Sequence, residues 1–246
     1  VACFDGPAGL AAEDFRYKLN AILPRPVVVN SICGTRPDFH PRFDALRREY
    51  SYFLHRGKDP FVESFSLQCS YPDLDFDTMN RAAEALVGTH DFSCFEKAGA
   101  DNKTSVCTVF EAFWQPYTPS HVQTMGEAGA APAKASYGRA MPVPGSPCGT
   151  QTGPLPAAVE GAAPASQIPQ YWYFRISADR FLRNMVRAIV GTLIEVGRGK
   201  RSVENFGTLV MPASGQGSLP ADSTPLRSLA GESVPGHALF LSKILY

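Results

Sequence analysis

The sequence predicts an α+β fold, and three observations predict it. Segments rich in β-branched and aromatic residues alternate with helical ones along the chain. One run, Ala178 to Gly197, repeats apolar residues at helical spacing. Between Trp114 and Tyr171 a long stretch has the period of neither element, so it separates two strands rather than forming one.

In chain order, Val1 to Phe4 reads as a strand, Ala11 to Leu23 as a helix stopped by Pro24, and Val27 to Cys33 as a buried strand. Alternation over Glu49 to His55 puts Tyr50, Tyr52 and Leu54 on one face of a further strand. Asp77 to Val87 reads as a helix, with Asp75 or Asp77 as its cap and Gly88 as its stop. His90 and Asp91 follow that glycine and read as a helix-ending turn rather than an acid/base pair, and His40 reads as a packed or phosphate-facing residue. Ser105 to Trp114 and Tyr171 to Ser177 are strands. The Ala178 to Gly197 helix, a short helix over Val203 to Val210 and a final strand over Ala238 to Leu245 complete the chain.

From Pro116 to Pro169 the chain is dominated by Ala, Pro, Gly, Ser and Thr. Such a segment buries too little apolar area to offset its ordering entropy, which predicts a disordered insertion between two strands of one domain. Pro212 to Pro225 has the same texture.

With 246 residues, 44% of them hydrophobic, the chain can bury one substantial core or two small ones. Its 23 Lys/Arg balance 23 Asp/Glu, which excludes a generic polyanion binder. The balance is local, however: Tyr171 to Tyr246 holds 9 cations against 5 acids, and Arg36 to Lys58 holds 6 against 3. Two basic surfaces on a neutral protein suit a defined anionic partner. The six cysteines form no CxxC pair and the five histidines no HExxH, so no metal site is expected and a reduced intracellular context is. No stretch approaches the roughly 18 apolar residues of a membrane span.

The Ala178 to Gly197 run carries the most chemistry. Wound as a helix, it lays Phe181, Leu182, Met185, Val186, Ile189, Val190 and Leu193 on one broad face, with Arg180, Arg183 and Arg187 lined up beside it. Arg187 has Val190, Gly191 and Ile194 as helical neighbours, so its guanidinium leaves the backbone at the rim of a packed surface and needs a carboxylate or phosphate partner. A helical glycine costs about 1 kcal/mol against alanine, so Gly191 predicts a close approach by another segment.

Five motifs in fixed order, Phe39-His-Pro-Arg-Phe43, Arg47-Arg-Glu-Tyr-Ser-Tyr52, Gly88-Thr-His-Asp-Phe-Ser-Cys-Phe95, the arginine run through Met185-Val-Arg187, and Val234-Pro-Gly-His-Ala-Leu-Phe-Leu241, resemble the tRNA pseudouridine synthases of the TruA family. The resemblance covers nearly all the chain outside the two low-complexity stretches. It implies the pseudouridine synthase fold, a largely antiparallel sheet with helices on one face. It also implies isomerisation of uridine to pseudouridine in the anticodon arm of tRNA, at about positions 38 to 40, without cofactor or metal, by a cytoplasmic homodimer. Organellar targeting stays open, because the sequence does not begin with Met. On this view residues 1–46 are the remainder of an N-terminal subdomain, 47–115 with 171–246 form the C-terminal catalytic and RNA-binding subdomain, and 116–170 are the insertion.

By the same resemblance Tyr50 stacks on the target uracil and handles its C5 proton, Arg187 pairs with the catalytic aspartate, and Leu239 lines the base pocket, with Ala238 in place of a glycine often found before it. Arg180 and Arg183 are then expected to meet phosphates beside the flipped nucleotide. Tyr52 is expected to remain a core aromatic. The family's nucleophilic aspartate sits in a Gly-Arg-Thr-Asp-x-Gly-Val loop that these residues do not contain. Gly34-Thr-Arg-Pro-Asp38 has similar letters in another order. The expectation is an aspartate upstream of Val1 and a chain inactive alone. The alternatives are a non-catalytic RNA-binding homologue and a broken reading frame.

Overall fold

A computed structural model describes residues 1–7, 9–97, 99, 104–122, 170–212 and 226–246. The described elements are α1 (Ala12–Ile22), β1 (Arg47–His55), β2 (Leu67–Gln68), α2 (Phe76–Glu84), β3 (Gly88–Asp91), β4 (Val106–Pro116), β5 (Tyr171–Ala178), α3 (Met185–Gly197), α4 (Val203–Thr208), β6 (Met211–Pro212) and β7 (Leu239–Leu245). The strands form one sheet in the order β2-β1-β5-β4-β3-β6, and β7 joins the other edge of β1 beside β2. Every pairing is antiparallel except the short β1–β2 contact. Helices cover one face, as expected of an α+β chain.

Alternation sets which residues face those helices. On β1, Tyr52 and Leu54 are fully buried opposite Phe174 and Trp172 of β5. On β4 a bulge at Phe110 shifts the pattern by one residue, so Cys107 and Val109 point inward before it and Ala112 and Trp114 after it. Without that extra residue half the strand would present its apolar side chains to solvent. Trp172 stacks flat on Phe76 of α2, with centroids 3.7 Å apart and planes 5° apart, and Trp114 meets the same ring edge-on.

α2 starts one residue before the expected Asp77 and ends at Glu84 rather than Val87. Asp75 caps it, accepting from the Thr78 amide at 2.9 Å and the Thr78 hydroxyl at 2.6 Å. Those bonds hold the Asp75 carboxyl below its usual range. Gly88 has φ +116° and opens β3 instead of merely ending a helix. His90 and Asp91 are therefore strand residues, not a turn: β4 supplies partners at Cys107 and Val106, and pairing overrides local turn chemistry.

Two expected strands do not form. Val1 to Phe4 and Val27 to Cys33 lie outside the sheet, and Val27 and Val28 are exposed. A strand is stable only against a neighbouring edge, and among the described residues neither segment pairs with one; the Asn20 side chain bonds the Val29 amide and carbonyl instead. α1 forms as expected, yet buries no residue, and the buried core begins at Ala45.

β4 and β5 pair antiparallel along nearly their whole length, and the Tyr117 amide continues the ladder to the Tyr171 carbonyl at 3.0 Å. Pro116 belongs to β4 rather than to the low-complexity stretch. The reading of residues 123–169 and 213–225 as disordered lies outside the described residues. His121, at the start of that stretch, is instead tied to Asp59 at 2.8 Å.

Candidate active site

The arginine run folds differently from a single helix. Ala178 still belongs to β5, residues 179–184 form an irregular connection, and α3 begins only at Met185. Two local features prevent an earlier start. The Asp179 carboxylate accepts from the amides of Arg180 (2.6 Å) and Thr108 (2.9 Å), and Asn184 takes a left-handed conformation with φ 70°. Arg180 and Arg183 therefore do not line up with Arg187 on a helix face. Arg183 is exposed on the turn, and Arg180 is half-buried beside Asp179.

α3 is also not amphipathic in its setting: 11 of its 13 residues are buried, and only Arg187 and Glu195 are not. The second cover is the segment Gly231 to Gly236, which crosses the helix where Gly191 removes a side chain. A Cβ on Gly191 would collide with the carbonyl of Glu232. The close approach expected from that glycine is the crossing of this strap.

The strap is tied to α3 and its N-cap at Gly231, Ser233 and Val234. The Gly231 amide donates to Thr192 Oγ1 at 3.0 Å, Asn184 Nδ2 to Ser233 Oγ at 2.5 Å, and the Val234 amide to the Arg187 carbonyl at 3.2 Å. Arg227 reaches across it to the Gly231 carbonyl (2.8 Å) and Ser233 Oγ (2.8 Å). Tyr52 closes the far end, its hydroxyl donating to the Pro235 carbonyl at 3.0 Å. Burial pushes that phenol well above its ordinary range, while the Arg187 charge pulls it down. Tyr52 is thus the core aromatic it was expected to be, and a strap anchor besides.

Arg187 Nε donates to the Val234 carbonyl at 2.6 Å. That single bond fixes the guanidinium plane and leaves its outer nitrogens without a carboxylate among the described residues.

The guanidinium opens onto a cleft of about 300 Å³ lined by Tyr50, Lys97, Phe181 to Arg187 and Leu239. Tyr50, Leu239, Arg183 and Arg187 thus meet from three separate parts of the chain. Arg180 is not among the lining residues. Tyr50 comes from the outer half of β1, with its ring edge-on to Phe181 at 5.0 Å and 85°. Leu239 sits on β7 opposite Tyr52, so it arrives from the strand next to Tyr50. One wall is therefore aromatic and aliphatic, and the other carries three cations with no carboxylate. Such a cleft can take a flat, polar ring on its apolar wall while holding an anionic group by arginine.

Sequence reasoning missed Phe181 and Lys97 as lining residues. Phe181 was legible as apolar but was placed on the helix face. Lys97 follows a recognisable motif by two residues and carries no signal of its own. Its amide donates to the Arg183 carbonyl at 3.0 Å, a contact between segments 86 residues apart. His40 lies in an exposed turn, its Nδ1 accepting from the amides of Arg42 and Phe43.

A family model described as tRNA pseudouridine synthase matches residues 82–246. The tRNA pseudouridine synthase A of Porphyromonas gingivalis is 36% identical over 248 residues, covering 100% of this chain and 74% of its own length. The proteins of the same name from Bacteroides thetaiotaomicron (34%) and Bacillus subtilis (30%) also match 100% of this chain, which spans 69% and 74% of them.

Proposed function

Since the chain belongs to the tRNA pseudouridine synthase family, we propose that its cleft isomerises uridine in the anticodon arm of tRNA, at about positions 38 to 40. The observation that supports this reading is the convergence of Tyr50, Leu239, Arg183 and Arg187 on one cleft. A uridine must leave its stack to react, and an aromatic face with an aliphatic wall replaces the stacking it loses. In this reading the uracil lies between Tyr50 and Leu239, with Phe181 holding the Tyr50 ring edge-on.

The chemistry needs an ionised carboxylate. Its oxygen bonds to C1′ as the N1–C1′ bond breaks, the freed uracil turns, C5 displaces the carboxylate from C1′ and returns it as the free ion, and the proton on C5 leaves as N1 gains one. We propose that Arg187, oriented by Val234, presents its free guanidinium edge to that carboxylate. A bidentate arginine both keeps a carboxylate ionised and fixes its direction. The 246 residues hold no Gly-Arg-Thr-Asp loop, and the described ones pair no acid with Arg187. The nucleophile in this proposal therefore comes from outside them. Tyr50 is assigned the C5 proton, Arg183 a backbone phosphate beside the flipped nucleotide, and Arg180 a phosphate farther out.

We also propose that the protein works as a homodimer. The sheet face turned from the helices carries Phe53 in ring contact with both Tyr173 and Phe240, and Phe240 is 41% exposed.

The test is tritium release from tRNA labelled at uridine C5, using the full-length protein and its Arg187→Lys variant. Release by the parent and none by the variant supports the reading, because lysine keeps the charge but loses the fork and the Nε bond. Tight tRNA binding without release by the parent would instead mark a non-catalytic RNA-binding homologue.

A further inference from the structure

We propose that Lys97 is a substrate-binding residue that holds an RNA phosphate at the mouth of the cleft, next to the one assigned to Arg183. The inference rests on the proposed function above, since it takes the cleft as the place where a nucleotide enters.

Lys97 is delivered to the cleft by a rigid base. Ser93 to Phe95 forms a single 3-10 turn in which Cys94 and Phe95 are fully buried, and Phe95 packs on Phe206 of α4 with centroids 6.0 Å apart. Two residues on, the Lys97 amide donates to the Arg183 carbonyl. The backbone at Lys97 is thus pinned both to the core and to the turn that carries Arg183. Its side chain is exposed, and no carboxylate pairs with its ammonium among the described residues.

The charge pattern says what it meets. The protein as a whole is neutral, yet this cleft is lined by Lys97, Arg183 and Arg187 and by no acid. In contrast, Arg47 and Arg175 on the sheet face pair with Glu111 and Glu49 at 2.7 Å and 2.6 Å. Three uncompensated cations around an apolar slot repel one another unless an anion joins them. A polynucleotide supplies one phosphate on each side of any base that enters the slot. Lysine suits the outer position: its ammonium is a mobile point charge that follows a phosphate without demanding one orientation, whereas the arginine fork fits the fixed carboxylate deeper in.

The test uses full-length protein and unmodified tRNA transcript, with Lys97→Ala, Lys97→Arg and Lys97→Glu measured beside Lys200→Ala. Lys200 is another exposed lysine, beyond the far end of α3, and controls for net charge. Lys97→Ala is expected to raise KM by about threefold to tenfold, with most of its effect in KM rather than kcat. Its plot of log affinity against log salt should be shallower by about 0.7 to 0.9, the slope of one lost phosphate. Lys97→Arg should keep the parent slope, Lys97→Glu should bind more weakly than Lys97→Ala, and Lys200→Ala should match the parent. If the parent turns over tRNA and Lys97→Ala matches it in both KM and salt slope, the inference is overturned and the function stands. If the parent forms no pseudouridine but its binding shows the Lys97-dependent slope, the phosphate contact stands and the proposed reaction falls.

Discussion

Arg187 and Val234 hold each other by two hydrogen bonds of opposite sense: the arginine Nε donates to the Val234 carbonyl at 2.6 Å, and the Val234 amide donates to the Arg187 carbonyl at 3.2 Å. The guanidinium direction is therefore set by the strap from Gly231 to Gly236 and not by the helix alone. Any change that lifts the strap from α3 rotates the arginine. Catalytic geometry is sensitive at that scale, since a displacement of about 1 Å can cost a factor of 10² in rate.

Gly191→Ala tests that linkage. The added methyl meets the Glu232 carbonyl, which is backbone and cannot swing aside, so the strap must move. Overpacking of this kind costs about 1–3 kcal/mol. Denaturant unfolding should show that loss, and pseudouridine formation should fall about tenfold to a hundredfold while tRNA affinity holds. A variant as stable and as active as the parent would mean that the strap does not orient Arg187.

Tyr50→Phe separates stacking from proton transfer. The ring keeps its edge contact with Phe181, so tRNA affinity should be unchanged. Turnover should drop by about 10² to 10⁴, the range for a lost acid or base. Full turnover in single-turnover tritium release would reduce Tyr50 to a stacking surface.

His55 makes the fold acid-sensitive. It is 1% exposed, bonded to Ser66 Oγ at 2.9 Å, and burial depresses its pKa, partly offset by Asp59 and Glu63 and reinforced by His237. A depressed folded pKa means that the unfolded chain binds the proton more readily, so stability rises with pH across this window. The contribution is complete above the unfolded value of about 6.5 and is lost as pH falls toward the lower folded value. Unfolding free energy measured between pH 7.5 and 5 should decline for the parent and decline less for His55→Gln. Equal slopes would assign the acid sensitivity to other groups.

The stretch between β4 and β5 should be replaceable. The two strands are already in register, and the ladder runs on through Tyr117 and Tyr171. Substituting a short Gly/Ser turn for residues 123–168 keeps His121 beside Asp59 and changes loop-closure entropy by only about 1–2 kcal/mol. Calorimetry should still show one cooperative transition near the parent temperature. Loss of soluble folded protein would mean that the replaced residues support the sheet.

Strands β1, β4, β5 and β7 and the helix capped by Asp75 were legible because their signals are local: alternation over Glu49 to His55, a capping acid, and β-branched runs that need only a neighbour to pair with. The residues Tyr50, Arg183, Arg187 and Leu239 were legible as candidates through their motifs, and the cleft brings them together. What depended on the fold was everything set by a distant partner. Val27 to Cys33 has strand composition but pairs with no strand among the described residues, while His90 and Asp91 look like a turn yet pair with β4. The Phe110 bulge keeps the apolar residues of both halves of β4 on the core side, and no periodicity announces it. The continuous helical pattern from Ala178 hid a break that Asp179 and Asn184 impose through a carboxylate and a left-handed backbone. Chain sequence alone therefore determined which residues are candidates for the chemistry. Tertiary structure decided where the strap crosses Gly191, which way Arg187 points and that Lys97 lines the same cleft, because each depends on contacts between segments that approach only when the sheet closes.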